Sequence, residues 1–305
     1  MDLVGLAFEV TKKCTYECSF CYNVRKSSKA YPQGELSLNQ IRELFDKVLI
    51  SVPTGSILLT GGDPLVRKDL EDIVKYFCSK KLKVGVATNG YFLDQERIRS
   101  LCDAGVSQFE VTLLSTNEVL HNTLSGNRNS YQRACEAIVN VKAMKRNVFV
   151  GFVATRDNIE DVSGVFDLAF ALGADAFSFY RFVPTGNGLI NRIELMPSIS
   201  QINDAIEALD VKAGLYRMSV FLGIPIPRQQ LRKKPLNIRI TNCEGGSTKF
   251  TIDPLGNLRV CEQNPDIVGS LSDVNFLSLV LSKNVKDFRK LAKKAKGDCP
   301  LLCMT

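Results

Sequence analysis

Cys14-Thr15-Tyr16-Glu17-Cys18-Ser19-Phe20-Cys21-Tyr22 sets three cysteines at C-x3-C-x2-C spacing within eight residues. Three thiolates this close can hold three corners of a metal cluster and leave its fourth metal open, and an open metal is where chemistry happens. Other readings account for less. A disulfide leaves one cysteine over and needs an oxidising compartment. A structural zinc ion needs a fourth ligand, and the single histidine, His121, lies far off in sequence. Core packing explains isolated cysteines, not three at these intervals interleaved with Tyr16, Glu17 and Ser19.

Around this loop the chain alternates short apolar runs with longer amphipathic ones. Strands are predicted at Val4–Val10, Ser56–Thr60, Lys83–Thr88, Gln108–Leu113, Val148–Thr155 and Ala176–Val183. Helices are predicted between them at Leu38–Ile50, Lys68–Lys80, Asp94–Asp103, Ser130–Lys145 and Ile159–Ala171. Apolar positions three and four apart, such as Ile41, Leu44, Phe45 and Val48, give each helix one face to lay on a sheet. Six strand–helix units imply a parallel sheet with right-handed crossovers. The expected fold class is α/β, with six units curling into an open, partial (β/α)6 TIM-like barrel.

In such barrels the working residues sit on the loops that follow the strands. Here the cysteine loop follows the first strand, Gly61-Gly62-Asp63-Pro64 the second and Thr88-Asn89-Gly90 the third. Arg156-Asp157-Asn158 follows the fifth strand and Pro184-Thr185-Gly186 the sixth. Alone, Gly61-Gly62 is a weak signal, since a tight turn after a strand needs glycine anyway.

The cysteine motif, with its aromatic Phe20 before the last cysteine, resembles the signature of the radical S-adenosylmethionine (radical SAM) enzymes. The resemblance implies the same partial barrel and a [4Fe-4S] cluster on Cys14, Cys18 and Cys21. The cluster's fourth iron would bind SAM, whose cleavage gives a 5′-deoxyadenosyl radical that takes a substrate hydrogen. It also implies cofactor contacts from Phe20, Tyr22, the Gly61-Gly62-Asp63-Pro64 segment, Asn89, Thr112, Asn158 and Arg181. The family's Gly-Gly-Glu carries Asp63 in place of Glu here, and Leu114 stands where an acidic residue is usual. Asn158 has an N-cap as its alternative role, and Arg181 either meets a carboxylate at the mouth or forms a rim ion pair. His121, in Glu118-Val119-Leu120-His121-Asn122, is read as satisfied by a local hydrogen bond. Cys78, Cys102 and Cys135 are read as small core residues.

From Asn191 to about Arg239 the repeat breaks down into a bridge with a short helix near Gln201–Leu209 and a strand near Arg217–Leu222. The tail then supplies Cys243, Cys261, Cys299 and Cys303. Lys249–Ile252 and Asn257–Val260 flank Asp253-Pro254-Leu255-Gly256, a hairpin turn. By spacing alone the four cysteines suit zinc or a fully ligated [4Fe-4S] cluster equally. Cys243-Glu244-Gly245-Gly246, Asp253-Pro254-Leu255-Gly256-Asn257 and Cys261 resemble the SPASM/Twitch auxiliary-cluster region of radical SAM enzymes. That resemblance implies a second [4Fe-4S] cluster, and a chain ending at Thr305 fits the shorter Twitch type. The expected domains are residues 1–190 for the barrel, 191–240 for the bridge and 241–305 for the tail.

At 305 residues, with 45% hydrophobic and 23% charged residues, the composition is that of a globular protein with a large core. No apolar run reaches a membrane span, and the N-terminus lacks the marks of a signal peptide. Reduced thiols suit a cytoplasmic protein. The net charge of +7 is spread out except for a run from Lys286 to Lys296. That run is a solvated helix face or a dock for an acidic flavodoxin- or ferredoxin-type electron donor. No aromatic-interleaved basic segment points to nucleic acid. The resemblance implies oxidative modification of a ribosomal peptide or peptide-derived cofactor precursor by thioether, carbon–carbon or epimerisation chemistry. The alternatives are dehydrogenation of a small molecule, such as an aminocyclitol or sugar hydroxyl, and a non-enzymatic iron–sulfur or zinc module.

Overall fold

The computed structural model describes residues 4–23 and 34–302. In chain order its strands and principal helices begin with β1 (Val4–Thr11), α1 (Leu38–Ser51), β2 (Thr54–Gly61), α2 (Leu70–Ser79), β3 (Lys83–Thr88) and α3 (Gln95–Ala104). There follow β4 (Val106–Thr112), α4 (Glu118–Ser125), α5 (Ser130–Ala143), β5 (Asn147–Ala154), α6 (Val162–Ala171) and β6 (Ala176–Arg181). The rest is α7 (Ile199–Tyr216), β7 (Ser219–Leu222), β8 (Ile238–Ile240), β9 (Lys249–Ile252), β10 (Asn257–Arg259), β11 (Gly269–Ser270), α8 (Phe276–Val280) and α9 (Lys283–Lys294). The eleven strands named lie in one sheet, ordered β11-β10-β9-β1-β2-β3-β4-β5-β6-β7-β8.

The six expected strands form in sequence, each parallel to the next. Alternation turns Phe8 of β1 outward onto Phe45 of α1 and Phe77 of α2, with ring centroids 4.9 and 6.3 Å away. Ile41, Leu44, Phe45 and Val48 are the buried face of α1, as their spacing predicts. Burying each such side chain contributes roughly 1.5–3 kcal/mol. Helix α1 starts at a capping box, with Ser37 and Gln40 satisfying one another's backbone amides.

Three features depart from the expected layout. The bridging helix is 18 residues long rather than nine; Ser198 and Gln201 make a second capping box at its start, and it runs on to Tyr216. Strands β7 and β8 within the bridge continue the parallel sheet. The tail hairpin also joins the sheet, with β9 parallel to β1 and Gly5 opposite Lys249. Its turn is tied by Asp253, whose Oδ1 accepts from the amides of Leu255 and Asn257, each at 2.8 Å. The tail hairpin is thereby stitched onto the first strand.

The sheet is strongly curled. Lys249 on β9 and Glu110 on β4 are four strand spacings apart, about 19 Å in a flat sheet. They nevertheless face one another closely enough that the Lys249 charge bears on Glu110's ionisation. Glu110, Tyr180, Lys249 and Glu262 thus share the lumen of a partial barrel. No helix among the described residues is long and apolar enough to cross a membrane.

Candidate active site

The loop from Lys12 to Asn23 carries Cys14, Cys18 and Cys21, all half-buried. It has almost no regular structure of its own, so its shape is imposed from outside. From the β2 side, the amides of Gly62 and Asp63 donate to the carbonyls of Thr11 (2.7 Å) and Lys13 (2.8 Å). From the end of α4, the carbonyls of Ser125 and Leu124 accept from the amides of Glu17 (3.1 Å) and Ser19 (3.0 Å). From beyond β6, Asn187 and Asn191 donate Nδ2 hydrogens to the carbonyls of Cys18 (3.3 Å) and Ser19 (2.8 Å). Phe20 anchors the loop apolarly against the cluster of Leu114, Leu124, Phe182 and Leu195.

Gly61 and Gly62 are needed for close approach. A Cβ on Gly61 would lie 2.2 Å from the carbonyl oxygen of Thr11, and one on Gly62 would lie 2.1 Å from that of Lys13. Gly61 also sits at φ +133°, a region unfavourable to other residues. On the far side Gly186, at φ +58°, would bring a Cβ within 2.5 Å of the Cys21 carbonyl oxygen.

Asp63 is buried and braces three neighbours. It accepts from the amide of Leu65 (2.9 Å), the hydroxyl of Thr88 (2.8 Å) and the amide of Asn89 (2.9 Å). Burial raises its pKa while these donors pull it back. Pro64 begins the short 3₁₀ turn that Asp63 caps. Asn89 in turn directs Nδ2 at the Cys14 sulfur (3.6 Å) and the Thr15 hydroxyl (3.3 Å). The Tyr16 amide also donates to the Cys14 sulfur at 3.4 Å. Two N–H donors aimed at one sulfur suit a ligating thiolate. Among the described residues no three Cys, His, Asp or Glu side chains converge on a point that a single ion could occupy. A four-iron cluster puts each thiolate on a different iron, so it does not require the three sulfurs to meet at one ion's position.

The tail brings Cys243, Cys261 and Cys299 near one another. Cys299 raises the pKa of Cys261, and Cys243 raises that of Cys299. Burial is the larger cause, pushing Cys261 up to about 12 and Cys299 up to about 11. Backbone amides point at each sulfur: Gly245 at Cys243, Gln263 and Asn264 at Cys261, Leu301 and Leu302 at Cys299. Cys303 lies outside the described residues. Between the two cysteine sets stand Tyr22, beside Cys21, and Glu262, beside Cys261, whose charges bear on one another. Burial alone would raise Glu262, but the Lys249 ammonium 2.9 Å away outweighs it and holds the carboxyl low.

Two expected cofactor contacts are occupied elsewhere. Asn158 is fully buried, its Oδ1 accepting from Thr155 N (2.7 Å) and Oγ1 (3.0 Å). Its Nδ2 donates to the carbonyls of Leu114 (2.9 Å) and Val153 (3.0 Å), so it ties loops together and caps no helix with its side chain. Arg181 shares its strand face with Phe177 and Phe179 rather than with Tyr180, and donates to the Pro225 carbonyl (2.6 Å) and Asp298 (2.8 Å). It is the rim ion pair of its two readings, and it pins the residue before Cys299 to the barrel. Thr112 is half-buried on β4, in register with the polar residues Glu110 and Gln108. Asn187 and Asn191 escaped the sequence reading, because asparagines beyond a strand look like ordinary loop residues.

His121 sits behind the cysteine loop. Its Nδ1 pairs with the Ser130 hydroxyl at 2.9 Å, and Ser130 bonds to Ser125 and to Asn122 Oδ1. This network holds the Leu124–Ser125 carbonyls where the loop needs them. Burial lowers the imidazole from 6.5 to about 4. A histidine with a depressed folded pKa lends stability that is complete above pH 6.5 and lost as the pH falls toward 4, with a full swing of about 3 kcal/mol. In urea unfolding across that window, the wild-type chain loses more stability than a His121→Gln variant. Equal slopes would place the imidazole in solvent.

Comparison with known proteins gives concordant results. The chain is 26% identical to an AdoMet-dependent heme synthase of Methanosarcina barkeri, over 96% of this chain and 86% of that one. It is 29% identical to a PqqA peptide cyclase of Methylocella silvestris, over 91% and 75%. Its fold matches Streptococcus suis SuiB bound to precursor peptide SuiA, with TM-score 0.71 and 12% identity, over 93% of this chain and 66% of that one. A family model described as the radical SAM superfamily matches residues 8–169. That span runs from within β1 into α6, taking in the three cysteines and the β2, β3 and α4 segments that clamp them. The chain belongs to the radical SAM superfamily of enzymes.

Proposed function

We propose that this radical SAM enzyme oxidatively modifies a peptide, forming a thioether or carbon–carbon crosslink or inverting a centre. Cys14, Cys18 and Cys21 would hold the [4Fe-4S] cluster, which when bound supplies the electron that cleaves SAM to the 5′-deoxyadenosyl radical. The Asp63 brace and the Gly61-Gly62 approach fix the loop beside the β2 and β3 ends, where SAM's polar groups would find backbone amides and Asn89. The partial barrel keeps solvent from the radical and holds one C–H bond beside it.

Cys243, Cys261 and Cys299, with Cys303, would ligate a second [4Fe-4S] cluster that takes the electron left after hydrogen removal. The amides directed at the sulfurs of Cys243, Cys261 and Cys299 support that assignment. The lysines of α9, just before Cys299, would receive an acidic flavodoxin- or ferredoxin-type donor. The observation that carries the peptide reading is the likeness to a PqqA peptide cyclase over most of both chains. The likeness to a heme synthase favours a second reading, a small-molecule substrate.

Deuterium transfer separates the two. The reconstituted enzyme is incubated with SAM, dithionite and perdeuterated candidates from each class, and label in 5′-deoxyadenosine identifies the substrate. We expect label from a peptide. Transfer only from small molecules overturns the peptide reading.

A further inference from the structure

Strand β4 presents Phe109 and Val111 outward to the helices and Gln108, Glu110 and Thr112 to the lumen. Glu110 therefore places a carboxylate inside the barrel. It accepts from the Tyr180 hydroxyl at 3.0 and 2.9 Å and from the Ser178 hydroxyl at 3.4 Å. The strand between them carries Gly151 at this level, and a Cβ there would lie 3.2 Å from Glu110 Oε1. Phe149 is the register partner of Glu110 on β5, and the missing side chain at Gly151 leaves the carboxylate room to reach β6.

The acidic groups of the lumen are not equivalent. Glu9 is paired with Arg259 at 2.6 Å and Glu262 with Lys249 at 2.9 Å. Glu110 has hydroxyl partners, but among the described residues no cation lies within ion-pair distance of it. Lys249 faces it, but that ammonium is bonded to Glu262. Burial raises the Glu110 pKa, as expected for a carboxylate without a counter-ion. A desolvated carboxylate held by two hydroxyls is unfavourable until a positive charge reaches it. Glu110 is half-buried, so part of the residue remains exposed.

We propose that Glu110 is a recognition residue that receives an ammonium or guanidinium group of the substrate, with Tyr180 fixing the carboxylate's orientation. The inference rests on the radical SAM reading of the lumen as the substrate chamber. The same chemistry is offered by a lysyl side chain of a peptide and by a small aliphatic amine. A purely structural Glu110 would only tie β4 to β6 through Tyr180.

The test uses the reconstituted full chain with SAM and dithionite in three arms. One receives a randomised pool of synthetic octapeptides with a central lysine, the second the same pool with norleucine in its place, and the third cadaverine. The readout is 5′-deoxyadenosine formed with the probe divided by that formed without it, so an incompletely loaded variant still reports. We expect at least about threefold stimulation by the lysine pool, none by norleucine, and a ratio near one for Glu110→Gln. Glu110→Asp keeps the charge and restores part of the response. Stimulation by cadaverine alone supports the ammonium site and makes its source a small molecule. Equal stimulation by lysine and norleucine, an undiminished ratio in Glu110→Gln, or no stimulation in any arm overturns the proposal. Absence of 5′-deoxyadenosine from the fully loaded wild-type enzyme under every condition would instead overturn the reading on which it rests.

Discussion

Replacing Cys14, Cys18 and Cys21 together with alanine abolishes 5′-deoxyadenosine formation and leaves about four irons per chain on the tail. The fall in SAM cleavage exceeds about a thousandfold, because the change removes the group that delivers the electron rather than slowing its delivery. The retained iron follows from geometry. The tail cysteines are gathered by β8, the β9–β10 hairpin and the segment after α9, none of which depends on the first loop for its hydrogen bonds. Arg181 and Asp298, both nine-tenths buried, fix Cys299 from the β6 side. Anaerobic reconstitution followed by iron, sulfide and zinc analysis checks the result. One zinc and no iron would overturn the second cluster, and persistent SAM cleavage would overturn the role given to the N-terminal cysteines.

The barrel was legible because its signals are local. Helical spacing on α1 and the turn at Asp253–Gly256 each sit within a few residues, and both elements form where expected. The three N-terminal cysteines were legible for the same reason. Helix α4 was missed although Asn117 caps its start and Gly126 its end in the left-handed conformation, a readable pair of stop signals. Strand β8 has three residues and its pairing with β7 is a tertiary fact, so no window of sequence announces it. Arg181, at the end of a strand, and Asn158, after one, each allow a cofactor contact or a structural role when read from sequence. Their true partners, Asp298 and the Leu114 carbonyl, lie 117 and 44 residues away. Glu110 could have been found. A carboxylate alternating with Phe109 and Val111 is a charge directed into the lumen, and only its partner Tyr180 needed the fold.

Gly62→Ala inactivates the enzyme with every cysteine in place. The added Cβ would sit 2.1 Å from the Lys13 carbonyl oxygen and 2.5 Å from that of Lys12. Real contacts of this kind are not shorter than about 3 Å, so the two loops must part by nearly 1 Å. Neither side can yield cheaply, since both clashing atoms are backbone. Moving Lys13 also breaks the hydrogen bond its carbonyl accepts from the Asp63 amide at 2.8 Å. Asp63 is itself tied to Thr88 and Asn89, so the disturbance reaches the donor aimed at the Cys14 sulfur. A 1 Å misplacement of reacting groups lowers rates on the order of a hundredfold, and that is the loss expected in substrate turnover. Gly5→Ala is the matched control on the same strand pair. Its Cβ would meet only the Thr248 oxygen at an ordinary 3.8 Å, and activity should stay within about twofold of wild type. Turnover of both variants, normalised to bound iron, checks the expectation. If Gly62→Ala matches Gly5→Ala, the loop does not owe its position to the close approach of β2.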